Sequence, residues 1–211
     1  MENVLKIIEL LKKEYPNAKL TLDFKNPLEL LIATILAVQY KDVLVNKITE
    51  NLFKKYKTTE DFSKADFKEL LDYIKSATFA VGKAKNIINT CKILVEKYSG
   101  KVPKTMEELI ELSGVGRKTA NVVLSNAYGI IVGIEVDRHI ARVSYRLGLT
   151  KNLEPAKIEE DLMKILSKNE WLKFSHMVKD HGRAICKNPV PICSKCFLDN
   201  LCPKNGVTKK L

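Results

Sequence analysis

The residues best suited to chemistry lie near the middle of the chain. Leu112-Ser113-Gly114-Val115-Gly116-Arg117-Lys118-Thr119-Ala120-Asn121-Val122-Val123 is followed, after a short apolar segment, by Val136-Asp137-Arg138-His139-Ile140. The first stretch reads as a helix, a two-glycine turn and a second helix. Glycines at alternate positions let the backbone take positive φ without a Cβ clash, and they leave amide N–H groups uncovered as the chain enters the next helix. The turn is therefore a phosphate-sized concavity, with Arg117, Lys118 and Thr119 in the first helical turn beyond it. Free amides and the helix dipole favour anions there, which makes Lys118 the odd residue. An amine so placed is a candidate nucleophile. A carboxylate such as Asp137 could help to deprotonate it and steady developing positive charge. As ordinary structure, the same residues would be a helical hairpin with a solvated lysine and an aspartate N-cap.

A second constellation stands near the C-terminal end, Cys186-x6-Cys193-x2-Cys196-x5-Cys202, with prolines at 189, 191 and 203. Four thiolates suit zinc or an iron–sulfur cluster. Structural zinc usually takes two close pairs or a Cys/His mixture, and only one Cys-x2-Cys pair exists here. The spacing favours a cluster and leaves zinc as the alternative. Cys91 stands apart in a helical pattern and reads as a small buried apolar residue. A metal or proton-relay reading of His139, His176 and His181 is disfavoured, and His139 and His181 read more simply as polar residues that fix backbone.

Helices must position these groups. Residues 3–14 form an amphipathic pattern, and Asn26-Pro27 supplies an N-cap and a proline at the first position of a helix that is apolar on nearly every side, as expected at the centre of a bundle. Asp42 is expected to cap a third helix, Asp66 a segment over 67–74, and 76–82 to be a loop before a helix over 83–98. Thr105 and Glu108 have capping-box spacing. The segment 130–136 reads as an extended linker, Asp137 opens a helix to about 147, Pro155 begins another, and the last long one covers about 170–185. No strand has a partner, so the fold class is all-α.

The 211 residues are 45% hydrophobic, enough for a substantial core, and carry a formal charge of +11. That charge favours a polyanionic partner, nucleic acid among them, although lysine-rich surfaces also serve solubility. No apolar run reaches membrane length, and the N-terminal residues lack the pattern of a secretion signal. Cytoplasmic residence with reduced thiols and no membrane partner is the expectation, and nothing in the sequence calls for more than a monomer.

The chain resembles the endonuclease III family of DNA glycosylases, within the helix-hairpin-helix superfamily. The likeness runs nearly end to end, and its most specific marks are 113–123, Val136-Asp137-x-His139-Ile140-x-Arg142-Val143, and His181-Gly182-Arg183 leading into the x6, x2, x5 cysteines. It implies a two-lobed all-α helix-hairpin-helix glycosylase fold with a C-terminal four-cysteine loop. One lobe would be 21–132, with the hairpin at about 105–128, and the other 1–20 with 133–211, the DNA lying across a cleft between them. The resemblance also implies a [4Fe–4S] cluster on Cys186, Cys193, Cys196 and Cys202, which orders the DNA-facing end of its lobe. Lys118 and Asp137 match the family's catalytic pair. Leu112, Gly114, Val115, Gly116, Arg117 and Thr119 would grip DNA phosphates, Gln39 would fill the space left by a flipped base, and Phe79 would wedge the opened duplex. As ordinary structure, Phe79 would be a buried loop anchor. Tyr40 departs from the small residue usual beside Gln39, and the loop 187–192 has Lys187 as its one cation where relatives often carry more.

The activity so implied is that of a bifunctional glycosylase and abasic-site lyase of base excision repair. It would act on oxidised pyrimidines in double-stranded DNA containing damaged bases or abasic sites, in the nucleoid of a prokaryotic cytoplasm. Two rivals remain on the sequence. One is a monofunctional glycosylase for mismatched uracil, thymine or adenine, against which Lys118 argues; the other is a non-catalytic iron–sulfur module for DNA binding or redox sensing.

Overall fold

Where the chain can cap or break a helix determines each element. The computed structural model describes residues 2–211. The order is α1 (Glu2–Glu14), α2 (Pro27–Ala37), α3 (Asp42–Lys55), α4 (Thr59–Ser63), α5 (Phe67–Ile74), α6 (Ala80–Tyr98), α7 (Met106–Ile110), α8 (Arg117–Ala127), α9 (Arg138–Arg146), α10 (Pro155–Ile165) and α11 (Trp171–Ala184). Short 3-10 turns occupy Lys168–Glu170, Cys193–Lys195 and Asp199–Leu201. No strand occurs among the described residues, in keeping with the all-α reading. The chain divides into two compact units, Thr21–Ile130 and Ile131–Leu211 with the residues preceding Thr21.

In the Thr21–Ile130 unit, α2 is the hub. Asn26 accepts from the Glu29 amide at 2.9 Å and Pro27 opens the helix, as anticipated. Leu30, Leu31, Ile32, Ile35 and Leu36 are all buried, and α2 packs against α3, α6 and α8. Each such side chain contributes about 2 kcal/mol when removed from water. A helix apolar all round has nowhere else to go, and its polar end must emerge at a surface.

Three local expectations need correction in this unit. Asp42 is the first helical residue of α3 and receives the Thr21 hydroxyl, while Lys41 occupies the cap without a side-chain bond. The 76–82 loop is shorter than expected, because Phe79 adopts left-handed backbone (φ 55°) and α6 starts directly after it. Thr105 does cap α7, accepting from the Glu108 amide at 3.3 Å, but the Glu108 carboxylate accepts from the Thr105 hydroxyl at 2.6 Å. The reciprocal capping box forms at Thr58 and Asp61 instead.

In the other unit, α11 packs against α9 and α1 around Ile7, Leu11, Ile140, Val143, Phe174, Met177 and Val178. The extended 131–136 segment enters this core under restraint. The Ile134 amide donates to the Glu159 carboxylate of α10 at 3.1 Å, and buried Glu135 forms an ion pair with Lys179 of α11. Among the described residues, no helix is long and apolar enough to cross a membrane.

Candidate active site

The hairpin is built from α7, a tight turn and α8. The Val115 amide donates to the Leu112 carbonyl at 3.1 Å and closes the turn. Gly114 has φ 76°, and a Cβ there would lie 2.5 Å from Asn86 Nδ2, so glycine is required both by conformation and by space. Gly116 differs from expectation. Its φ of −97° is extended backbone open to any residue, and a Cβ would meet nothing within 4 Å. What the missing side chain does at 116 is keep the approach to the backbone clear. No side chain caps α8, so the amides of its first turn are offered outward.

Leu112, Val115 and Thr119 are buried, whereas Gly114, Gly116, Arg117 and Lys118 are exposed. The buried side chains anchor the turn, and the Thr90 hydroxyl of α6 fixes it further by donating to the Ser113 carbonyl at 2.8 Å. This leaves backbone N–H groups, a guanidinium and an amine at the surface. Lys118 therefore sits accessible in the first turn of an uncapped helix, where an anion is stabilised and an amine can reach a bound partner.

The same unit presents Gln39 and Phe79. Both lie in inter-helix loops, both are exposed, and both have left-handed backbone, with φ 53° and 55°. Such backbone costs about 1–2 kcal/mol at a residue with a Cβ. Phe79 is 69% exposed, which removes the reading of it as a buried anchor. The two loops are linked, since the Thr78 hydroxyl donates to the Gln39 carbonyl at 2.9 Å.

In the second unit, Asp137 is the N-cap of α9. Its Oδ1 accepts from the amides of His139 at 2.7 Å and Ile140 at 2.8 Å, so the carboxylate is held by two charge-assisted bonds at a helix N-terminus. Among the described residues Oδ2 has no hydrogen-bond partner. Asp137 thus combines a structural cap with a free acceptor. The restraints on Ile134 and Glu135 fix the backbone that leads into it.

The four C-terminal thiols line one recess, with Leu147, Ile185, Pro191, Ile192 and Val207 as its apolar walls. Burial pushes Cys196 up to about 11, and the neighbouring cysteines push in the same direction. Cys202 is raised as well, burial again leading. Arg146 Nη1 approaches Cys186 Sγ at 3.4 Å and donates to the Lys187 carbonyl at 2.7 Å. Arg142 donates to the carbonyls of Cys186 at 3.0 Å and Gly182 at 2.9 Å. Among the described residues, no group of three or more His, Cys, Asp or Glu side chains is disposed to hold a single metal ion.

Arg146 and Lys83 carry no expectation from the sequence, and Arg142 stands only as one residue of a family motif with no role attached. Arg142 and Arg146 follow Arg138 at four-residue spacing on α9, which puts all three on one helix face, and that periodicity was the available signal. His181 does more than fix backbone, since Nε2 lies 3.6 Å from Cys196 Sγ and Nδ1 3.2 Å from the Tyr15 hydroxyl. Burial pulls its pKa down to about 4. Lys83 is buried, and its signal was position, because it falls on the face of α6 that carries Ala84, Ile87 and Cys91. Cys91 is fully buried, as expected of a small apolar residue, and burial pushes its thiol up to about 12.

Comparison with known proteins places this geometry. Residues 32–168 match the HhH-GPD superfamily of base excision DNA repair proteins. Endonuclease III of Synechocystis sp. is 46% identical over 202 residues, 96% of this chain and 92% of that one. A solved non-covalent endonuclease III–DNA complex superposes with a TM-score of 0.92 at 42% identity, covering 96% of this chain and 95% of the other. A trapped endonuclease III–DNA covalent intermediate gives the same values.

Proposed function

Because the chain belongs to the HhH-GPD superfamily of base excision DNA repair proteins, we propose that it is a bifunctional DNA glycosylase and abasic-site lyase. Its substrate is duplex DNA carrying oxidised pyrimidines, in the cytoplasm of a prokaryotic cell. The observation that carries this reading is Lys118, exposed in the first turn of a helix that no side chain caps. Its relatives include an endonuclease III captured in covalent linkage to DNA, the outcome expected of an amine nucleophile.

In this reading the free amides around Gly114 and Gly116, with Arg117, hold phosphates of one strand without regard to sequence. Leu112, Val115 and Thr119 act by shaping that turn from inside. Gln39 enters the space vacated by the flipped nucleotide and Phe79 supports the distorted stack. The neutral amine of Lys118 attacks C1′ of the deoxyribose, and the bond to the base breaks with its electron pair leaving on the base. Loss of the ring oxygen from C1′ gives a Schiff base, which acidifies the C2′ hydrogen. Proton loss there expels the 3′ phosphate. Asp137, with Oδ2 not committed to the cap, assists deprotonation of the amine and stabilises positive charge developing on the sugar.

Cys186, Cys193, Cys196 and Cys202 would hold a [4Fe–4S] cluster. The fit rests on their common recess and on the donor set itself, four thiols that can each bind iron as thiolate. The x6, x2, x5 cysteine spacing shared with the endonuclease III family favours a multi-iron group over zinc. When bound, the cluster supplies structural order and redox sensitivity, not hydrolysis. Purified protein should be yellow-brown and contain iron and acid-labile sulfide in equal amounts; colourless protein with stoichiometric zinc would overturn the assignment.

The activity is tested with duplex DNA containing thymine glycol. Base release should come with a strand break ending in the unsaturated sugar aldehyde of β-elimination. Release that leaves an intact abasic strand, cut only by alkali, would favour a monofunctional enzyme.

A further inference from the structure

Lys83 is 5% exposed, and its ammonium makes three hydrogen bonds. Two go to the carbonyls of Leu36 and Val38, each at 2.7 Å, and one to the Thr78 hydroxyl at 3.4 Å. An ammonium has three N–H donors, so all are used. Leu36 and Val38 lie at the C-terminal end of α2, where carbonyls lack helical partners and a cation is favoured. The ring of Tyr40 adds a face 5.6 Å from Nζ. No carboxylate pairs with Lys83 among the described residues, and burial pulls its pKa below the usual lysine value. The charge is therefore held by dipoles and a ring alone, which is a costly way to stabilise a core.

The cost falls at one place. Val38 precedes Gln39, Thr78 precedes Phe79, and the Thr78 hydroxyl that receives Lys83 itself donates to the Gln39 carbonyl. A single side chain therefore joins two loops distant in sequence, each presenting an exposed residue in left-handed backbone. Strain of that kind persists only where the surroundings over-determine it.

We propose that Lys83 is a positioning residue that locks the Gln39 and Phe79 loops in one fixed relation, so that both side chains meet the opened duplex already arranged. The inference rests on the reading of Gln39 and Phe79 as inserting residues. Lys83, buried and with every N–H donor engaged by protein groups, acts through these loops. Its effect is preorganisation, since ordering two loops during binding would otherwise draw on the energy that opens the helix.

The test is a cycle built from Lys83→Met, the pair Gln39→Ala with Phe79→Ala, and their combination. Two quantities are followed: single-turnover release of thymine glycol, and fluorescence of 2-aminopurine opposite a stable abasic analogue, which reports insertion without catalysis. Lys83→Met should slow release by about tenfold or more in the native background but by less than about twofold when Gln39 and Phe79 are already alanine. It should also reduce the fluorescence change. Thr78→Val removes an exposed hydroxyl from the same linkage and should cost about threefold with the same non-additivity, which keeps the test decisive if Lys83→Met fails to fold. Equal losses in both backgrounds, or no loss in either, would overturn the clamp. If the Gln39 and Phe79 substitutions themselves change nothing, the insertion reading falls, and the clamp with it.

Discussion

Gly114 and Gly116 look equivalent in the sequence, yet alanine should cost far more stability at the first position than at the second. At 114 the new Cβ meets Asn86 Nδ2 at 2.5 Å, Cγ at 2.9 Å and Cβ at 3.0 Å, while the backbone stays at φ 76°. Left-handed backbone costs a non-glycine residue about 1–2 kcal/mol, and forcing extra volume into a packed contact costs about 1–3 kcal/mol. Gly114→Ala should therefore destabilise by about 2–5 kcal/mol. At 116 the Cβ meets nothing and φ is ordinary, so only the poorer N-cap preference of alanine remains, about 1 kcal/mol or less. Urea unfolding of both variants, compared by midpoint at constant slope, measures the difference. Adding Asn86→Ala to Gly114→Ala should recover the steric part and leave the backbone part. Affinity for duplex DNA should fall with Gly116→Ala despite its near-native stability, because the methyl covers the approach to the free amides. A Gly114→Ala protein no less stable than Gly116→Ala would refute the assignment of strain to position 114.

Further outcomes follow from buried charge. Lys179→Met strands the Glu135 carboxylate, whose Oε2 already lacks a hydrogen bond, and should cost about 3–5 kcal/mol in urea unfolding. Adding Glu135→Gln should restore much of that loss, since no charge is then left behind. His176 gives a pH signature. Burial lowers its pKa from 6.5 to about 4, so the native state keeps the ring neutral while the unfolded chain protonates it first. The unfolded state binds more protons in that window, and stability should fall as pH drops from about 6.5 towards 4, by up to about 3 kcal/mol. His176→Gln should flatten that part of the stability–pH profile, and an unchanged slope would contradict the burial argument.

How much of this was legible in the sequence depended on whether a residue type announces its own conformation. Asn26-Pro27, Asp66, Asp137 and Pro155 did so, because capping oxygens and a fixed proline φ have few other uses, and each begins the helix it was expected to begin. Lys118 was conspicuous for the opposite reason, as a cation where the helix dipole disfavours one. Phe79 and Gln39 gave no hint of left-handed backbone, since nothing in an aromatic or amide side chain asks for it and the cause lies in long-range contacts around Thr78 and Lys83. Gly116 misled by being a glycine whose backbone is ordinary. Asp42 looked like a cap and is instead the first helical residue, its carboxylate receiving the hydroxyl of Thr21, a partner distant in sequence. The roles of Arg142 and Arg146 were hidden because their acceptors are main-chain carbonyls around the cysteine loop, which have no sequence signature.

The central claim, that Lys118 is the covalent nucleophile, is tested most directly by borohydride trapping on duplex DNA bearing thymine glycol or an abasic site. Native protein and Lys118→Ala should be compared after urea unfolding has shown equal stability, as expected for an exposed side chain. The native protein should yield a covalent protein–DNA adduct and the variant none. An adduct of equal yield with Lys118→Ala would place the nucleophile elsewhere. Base release by native protein with no adduct would replace the amine with water and contradict the account.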